Sequence, residues 1–487
     1  MNATTRTIVF CLAIGPAHAQ VQAQPASLPH EPDRAARTAP TDLRGIDEYI
    51  QSATRKHHVP GTSVAVVRRG EVVLAKGYGQ ANVELSVPAT ENTVYQLASV
   101  TKTFTATAIM LLVEEGKLKL DDKATKHLAD LPKAWDPVTV RHLLNHTSGI
   151  KSYTSVKDFF KTVRKDYAQR EILGLVAKEP LEFAPGEKWN YSNSGFFLLG
   201  MIIEKVTGKT YGEFLDERIF RPLRMTHTRV NDLHAIIPNR AQGYTWNGKE
   251  LRNGEYTSPS QPFSAGMLVS SVSDMLKWDA ALDSEALLTK SNLERMWTPT
   301  PLKKGEPAGY GFGWQIGKVN EHRRVSHGGG IPGFSTELSR FVDDKLTVIV
   351  LANSDQGNAG MLAQGIARRI QPNLAKAPEA PIADTDPQTS ERLKNVFLQG
   401  MKGEADPDLF TEDARKELVP KIRQAGKDGQ FSAFGALKTF ALLARKETEA
   451  GIQLRYRAAF ENETAEATFA IDKNGKIAGL QLRPSED

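Results

Sequence analysis

The residues with the clearest chemical potential are Ser99 and Lys102, in Ser99-Val100-Thr101-Lys102. Serine is a weak nucleophile until a neighbouring base takes its proton, and a lysine held against an apolar wall can be neutral enough to help. The segment that follows sets Phe104, Ala108, Leu111 and Leu112 at helical spacing up to Gly116, so Lys102 lies one turn from Ser99 on a shared face. The start of that helix also offers unpaired backbone N–H groups to a developing oxyanion. A second Ser-x-x-Lys, Ser148 to Lys151, is set aside. Gly149 and Ser152-Tyr153-Thr154 read as turn and leave no helix to fix its lysine.

Tyr191-Ser192-Asn193 is the only Tyr-x-Asn in the chain. Its phenol can relay a proton and its amide can orient a substrate, although alone it reads equally as a packed loop tyrosine beside an asparagine turn. His327-Gly328-Gly329-Gly330 ends a β-rich run. Glycines there let a substrate lie along a strand edge and free a backbone N–H for its carbonyl; by itself the run is also compatible with a glycine turn after an edge strand.

The order Ser-x-x-Lys, Tyr-x-Asn, His-Gly-Gly is far more specific than any one motif. It resembles the serine β-lactamase and penicillin-binding-protein superfamily, nearest the class C β-lactamase-like branch with its esterases, D-aminopeptidases and D-Ala-D-Ala carboxypeptidases. The likeness covers about 41–370 and includes Leu97-Ala98 before Ser99, Leu143-Leu144-Asn145-His146-Thr147-Ser148-Gly149, Ser264-Ala265-Gly266 leading to Asp274, and Leu351-Ala352-Asn353. It implies a β-lactamase/transpeptidase-like α+β domain, an antiparallel sheet flanked by a helical region. By the same resemblance Ser99 is the acylated nucleophile, and Lys102 and Tyr191 share the general-base role. Asn193, His327, Gly328 and Gly329 stand at substrate-binding positions, and the backbone N–H groups of Ser99 and Gly330 form the oxyanion hole. No metal or organic cofactor is needed.

One departure bears on substrate. β-Lactamases and transpeptidases of this group carry Lys-Thr-Gly or Lys-Ser-Gly at the third motif, where lysine and hydroxyl bind the substrate carboxylate. His327 is mostly neutral at pH 7 and Gly328 has no hydroxyl, so the grip on a carboxylate weakens. The expectation is a hydrolase of small esters or peptide-like amides with weak β-lactamase activity. The alternative is a penicillin-binding fold used as a sensor, acylated without turnover or not at all. An α/β-hydrolase is excluded, since there is no Gly-x-Ser-x-Gly and the glycine run follows the serine instead of preceding it. A zinc peptidase fails because His57 and His58 are adjacent and no His-Glu-x-x-His exists.

These motifs need a frame. A helix is predicted over 42–57, then strands at Thr62–Val67 and Val72–Ala75 joined by a hairpin at Arg68-Arg69-Gly70-Glu71. Tyr310–Ile316, Arg323–His327, Phe334–Phe341 and Leu346–Leu351 are spaced like antiparallel strands, with a helix at about 358–370, and the middle is helix and loop. Strands at both ends predict a sheet closed by pairing of the N- and C-terminal parts. Prolines 372, 378, 381 and 387 mark 371–390 as a linker. Residues 391–487 then read as a small α+β accessory domain: helical pattern over 391–425, then alternation through Ile452, Leu454, Tyr456, Ala458 and Phe460 and a hairpin at Asn474-Gly475. It looks loosely like cystatin-like or NTF2-like appendages.

The 487 residues carry 62 Lys plus Arg against 57 Asp plus Glu, a net charge of +5 with 40% hydrophobic residues. That is ordinary globular composition with no basic stripe for nucleic acid. Residues 1–19 hold Arg6, the apolar run Ile8–Gly15 and Ala17-His18-Ala19, a secretory signal pattern implying a periplasmic or secreted protein; 20–40 reads as a flexible leader. The one cysteine, Cys11, falls in that signal. No later segment offers the roughly 18 apolar residues of a membrane span. The oligomeric state is open.

Overall fold

The computed structural model describes residues 43–375, 379–429, 431, 434–461 and 464–484. The expected signal and leader, with Cys11, lie outside the described residues. The chain enters through helix α1 (Leu43–Lys56) and the hairpin β1 (Gly61–Arg68) and β2 (Glu71–Asn82), with a short β3 (Val87–Pro88) alongside. Far downstream come β4 (Gln315–Val319), β5 (His322–Ile331), β6 (Phe334–Phe341) and β7 (Leu346–Ala352). All join one seven-stranded sheet in the order β3-β2-β1-β7-β6-β5-β4. The closure expected from the sequence is the antiparallel pairing of β1 with β7, from Thr62 opposite Ala352 to Arg68 opposite Leu346.

Alternation along these strands explains why they are apolar throughout. Val64, Val66, Val348 and Val350 face one core with α1 and the helix after β7 (Ala359–Ile370). Ala65, Ile349 and Leu351 face the larger core on the other side. A strand covered on both faces needs no polar residue at every second position. Through the larger core runs α2 (Thr101–Glu114), buried at every position from Thr101 to Leu112. A helix buried on every face can only be central. Phe104 stacks on Trp278 within it, centroids 4.1 Å apart.

Two local expectations change. Tyr310–Ile316 is not a strand: residues 310–314 turn, and β4 begins at Gln315. The N–H groups of Gly311, Phe312 and Gly313 go to Trp314 O, Met296 O and Leu144 O instead of a ladder. A side chain at Gly313 would meet Ala106 at 2.7 Å and Lys102 O at 2.8 Å, so this segment is wedged against α2. The second change is in the proline-rich stretch, where a helix spanning Pro387–Met401 starts inside the segment read as linker. Pro387 sits at the first helical turn, where a missing N–H costs nothing, and Asp386 caps it by accepting from Thr389 N–H.

Beyond it, helices Glu412–Glu417 and Val419–Lys427 and a four-stranded antiparallel sheet (Leu437–Thr448, Gly451–Phe460, Thr464–Asp472, Ile477–Pro484) enclose a separate core. Leu454, Tyr456, Ala458 and Phe460 are buried in alternation, and Asn474-Gly475 forms the final turn with Gly475 at φ +77°. Among the described residues no helix is long and apolar enough to cross a membrane.

Candidate active site

Ser99 sits in a tight turn, Ala98–Val100, that runs directly into α2. Ala98 is held at φ +46°, a left-handed conformation that costs an alanine energy and recurs where surroundings over-determine the backbone. Leu97 N–H donates to Leu268 O, and Leu97 O accepts from Thr336 Oγ1 at 2.8 Å, so the turn is pinned from two sides.

Lys102 is wholly buried, and its Nζ lies 3.1 Å from Ser99 Oγ, 2.9 Å from Asn193 Oδ1 and 2.7 Å from Ala265 O. Burial pushes its ammonium well below the ordinary lysine range. A neutral amine has two N–H bonds and one lone pair. Two of the three neighbours, the Asn193 carbonyl oxygen and Ala265 O, can only accept, which leaves the lone pair for the Ser99 hydroxyl. That is the arrangement a general base needs.

Tyr191 covers this group, its ring centroid 4.9 Å from Lys102 Nζ. Burial raises its phenol above the usual range, against a hydrogen bond with Ser99 that lowers it. Neutral Lys102 beside neutral Tyr191 carries the same proton count as an ammonium beside a phenolate, and burial favours the uncharged pair. Lys102 is therefore the better base, with Tyr191 as a hydroxyl relay.

The helix Asn193–Thr207 delivers Asn193 from its first residue and ends at Gly208, φ +69°. Asn193 N–H donates to Ser152 Oγ at 3.1 Å, and its Nδ2 donates to Thr154 Oγ1 at 3.1 Å. This fixes Oδ1 toward Lys102. The discarded Ser-x-x-Lys forms the loop beneath, with Gly149 at φ +75° and Lys151 paired to Glu179 at the surface, 3.2 Å.

In the third motif β5 packs on the Ser99 turn. A side chain at Gly329 would meet Leu97 O at 2.3 Å and lie 3.1 Å from Ser99 N, whereas one at Gly330 would meet open space. Gly330 lies opposite Ser335, next to the hairpin pair Ile331 and Phe334. Antiparallel alternation turns its N–H to the edge not bonded to β6, free for a carbonyl. His327 departs from its expected place. It is 1% exposed, its Nδ1 bonds Gly328 O at 2.6 Å and its Nε2 bonds Tyr310 Oη at 2.9 Å. Both nitrogens are used inside the protein, and burial pushes its pKa down to about 3. Ser99, Lys102, Tyr191 and Asn193 thus converge with Gly330. His327 faces the same side of β5 as Gly329, its ring 6.4 Å from that of Tyr191, but it is engaged by Gly328 O and Tyr310, and Gly328 and Gly329 do not line the cavity.

That cavity, about 150 Å³, is walled by Ser99, Asn193 and Gly330 and by Tyr153, Phe160 and Gln261, with no charged residue in its lining. The aromatic wall comes from loops whose residues carry no period, so it was not legible before folding. Ala265, the third partner of Lys102, lay in a phrase already noted for its likeness but without a role. A larger cavity of about 1090 Å³ contains none of the reactive groups and has mixed charge, Asp216 and Arg221 among its lining. The chemistry places the site in the smaller one.

Known proteins resemble this chain in sequence and in fold. Penicillin-binding protein 4* of Bacillus subtilis is 35% identical over 329 residues, 64% of this chain and 72% of that protein. The octameric penicillin-binding protein homologue from Pyrococcus abyssi superposes with a TM-score of 0.63 at 25% identity, covering 91% of this chain and 98% of that one. The D-amino acid amidase of Ochrobactrum anthropi SV3, complexed with L-phenylalanine amide, gives 0.58 at 28% identity over 68% and 97%. A family model described as Beta-lactamase matches residues 46–371, which hold every motif of the site, and the chain belongs to the Beta-lactamase family, within the serine β-lactamase and penicillin-binding-protein superfamily.

Proposed function

We propose that this protein is an exported serine hydrolase of the class C β-lactamase-like type that cleaves esters or amides whose acyl groups carry no carboxylate, through an acyl-Ser99 intermediate. The observation that carries the reading is Lys102: a buried amine 3.1 Å from Ser99 Oγ whose N–H groups are engaged elsewhere. Lys102 takes the Ser99 proton, with Tyr191 relaying it to the leaving group, and the Ser99 and Gly330 N–H groups receive the oxyanion. Water entering beside Tyr191 then releases the acid. The cavity's uncharged lining supports an ester, or an amide of the D-aminopeptidase kind, over a carboxylate-bearing β-lactam or D-Ala-D-Ala peptide. The amidase structure lends the same support. Export rests on residues 1–19 alone.

A panel of nitrophenyl esters, D-amino-acid amides, D-Ala-D-Ala peptides and a chromogenic cephalosporin, run beside Ser99→Ala, tests this. Esters or amides should turn over faster than the cephalosporin, and Ser99→Ala should abolish all turnover. Activity that survives the substitution would sink the mechanism. A stable covalent label on Ser99 without turnover would favour the sensor reading.

A further inference from the structure

Three buried rings stand between the Tyr191 loop and the Gly328–Gly330 strand, outside the cavity lining. His146 holds the two peptide N–H groups that flank Tyr191. Asn190 N–H donates to His146 O at 3.0 Å, and Ser192 N–H donates to His146 Nδ1 at 3.1 Å. With Nδ1 accepting, the ring proton sits on Nε2. The ring lies 4.3 Å from that of Tyr191 and 4.6 Å from that of Tyr310, between centroids.

Tyr310 continues the chain of contacts. The Nδ1 of His327 must carry its ring's proton, because its partner at 2.6 Å is the Gly328 carbonyl. Nε2 is then the acceptor and Tyr310 Oη–H the donor, at 2.9 Å. Each end fixes the same tautomer. Gly328 lies in the part of β5 that has lost its neighbour, since pairing with β4 stops at Ser326 opposite Gln315. The His327 ring holds a carbonyl that no strand holds, two residues before Gly330.

We propose that His146, Tyr310 and His327 are positioning residues, a buried brace that ties the Tyr191 loop to the Gly328–Gly330 backbone so that both reach Ser99 together, a role that rests on the acyl-Ser99 reading. Without the Tyr310 hydroxyl, the His327 Nε2 lone pair is left buried and unpaired and the ring loses the partner that sets its orientation, so the Nδ1–H bond to the Gly328 carbonyl loosens and the peptide is no longer held in place. Without the His146 acceptor, the Ser192 N–H is left unpaired next to Tyr191. Neither change touches the cavity wall, so the loss falls on turnover and not on binding.

The test measures melting temperature, kcat and KM on a short-chain nitrophenyl ester for Tyr310→Phe, His146→Asn and His146→Leu in the full chain, beside Ser99→Ala. Tyr310→Phe keeps the ring and should lower kcat about 10- to 100-fold with KM within about twofold. Asparagine tolerates the left-handed backbone of His146, φ +59°, and its Oδ1 can replace Nδ1. His146→Asn should therefore retain most of the kcat that His146→Leu loses. Parental kcat in Tyr310→Phe, equal losses in the two His146 variants, or a rise in KM at unchanged kcat would each overturn the brace. If His146→Leu does not fold, Tyr310→Phe decides. Turnover persisting in Ser99→Ala overturns the acyl-serine reading instead, and parental Tyr310→Phe beside an inactive Ser99→Ala overturns the brace alone.

Discussion

Replacing Asn193 by Asp exchanges a neutral acceptor for a carboxylate with almost no change in shape, 2.9 Å from Lys102 Nζ. At that distance, with an effective dielectric of about 20, an ammonium and a carboxylate attract by about 6 kcal/mol. That corresponds to about 4 pKa units on Lys102. Burial of the new carboxylate opposes part of this, and at least about two units should remain. Lys102 is low because it is buried among neutral groups, so the shift is upward and the amine becomes an ammonium at neutral pH. The acid limb of kcat/KM, which reports the free enzyme, should move toward alkaline pH by that amount. Where turnover is too slow to follow, the rate at which a fluorophosphonate labels Ser99 gives the same information. Labelling at pH 7 should fall about 100-fold and recover as pH rises. A limb that stays in place would refute Lys102 as the base, and labelling that fails at every pH would refute protonation as the cause.

The remaining predictions are independent of that one. Lys102 is depressed in the folded protein and ordinary in the unfolded chain, so between those two values the unfolded chain binds the extra proton and stability rises with pH. Relative to Lys102→Met, the parent should gain up to about 1.4 kcal/mol per pH unit in denaturant melts across that window, and parallel curves would contradict a neutral lysine. Gly329→Ala should cut activity about 100-fold or more through its clash with Leu97 O while Gly317→Ala, on β4 with open space around it and outside the cavity lining, stays near parental activity, measured as ester turnover; equal effects would mean the strand does not abut Ser99. Arg340→Met leaves Asp279, which it meets at 2.6 Å with both side chains buried, without its cation. A loss of about 3–5 kcal/mol is expected by urea unfolding with the ester KM unchanged.

The geometry of the candidate site was legible where it is local. Ser99 and Lys102 share a helical turn, and Tyr191 and Asn193 are two residues apart, so type and spacing nearly determine what they can do. The sheet was legible because strands buried on both faces leave long β-branched runs at 61–68 and 346–352. Tyr310–Ile316 misled for a related reason. Aromatics alternating with Gly311 and Gly313 mimic a strand, yet the glycines are there to let the segment press against α2. His327 could be read as a substitution for lysine but not as a buried ring, because its burial depends on Tyr310 and His146 from other parts of the chain. The cavity wall was opaque for the same reason: Tyr153 and Phe160 lie on one irregular stretch and Gln261 on another, 108 positions beyond Tyr153, and they meet only after folding.

The pairing of β1 with β7 also sets a schedule for synthesis. Thr62 and Leu351, joined by a hydrogen bond, are 289 positions apart. At about 5–20 residues per second, the first hairpin leaves the ribosome roughly 15–60 s before its partner strand exists. Throughout that interval β1 presents a bare apolar edge, a template for pairing with other chains. The demand on cellular holding factors should therefore fall on nascent chains ending before residue 346, and chains long enough for β7 to emerge and pair with β1 should shed that dependence.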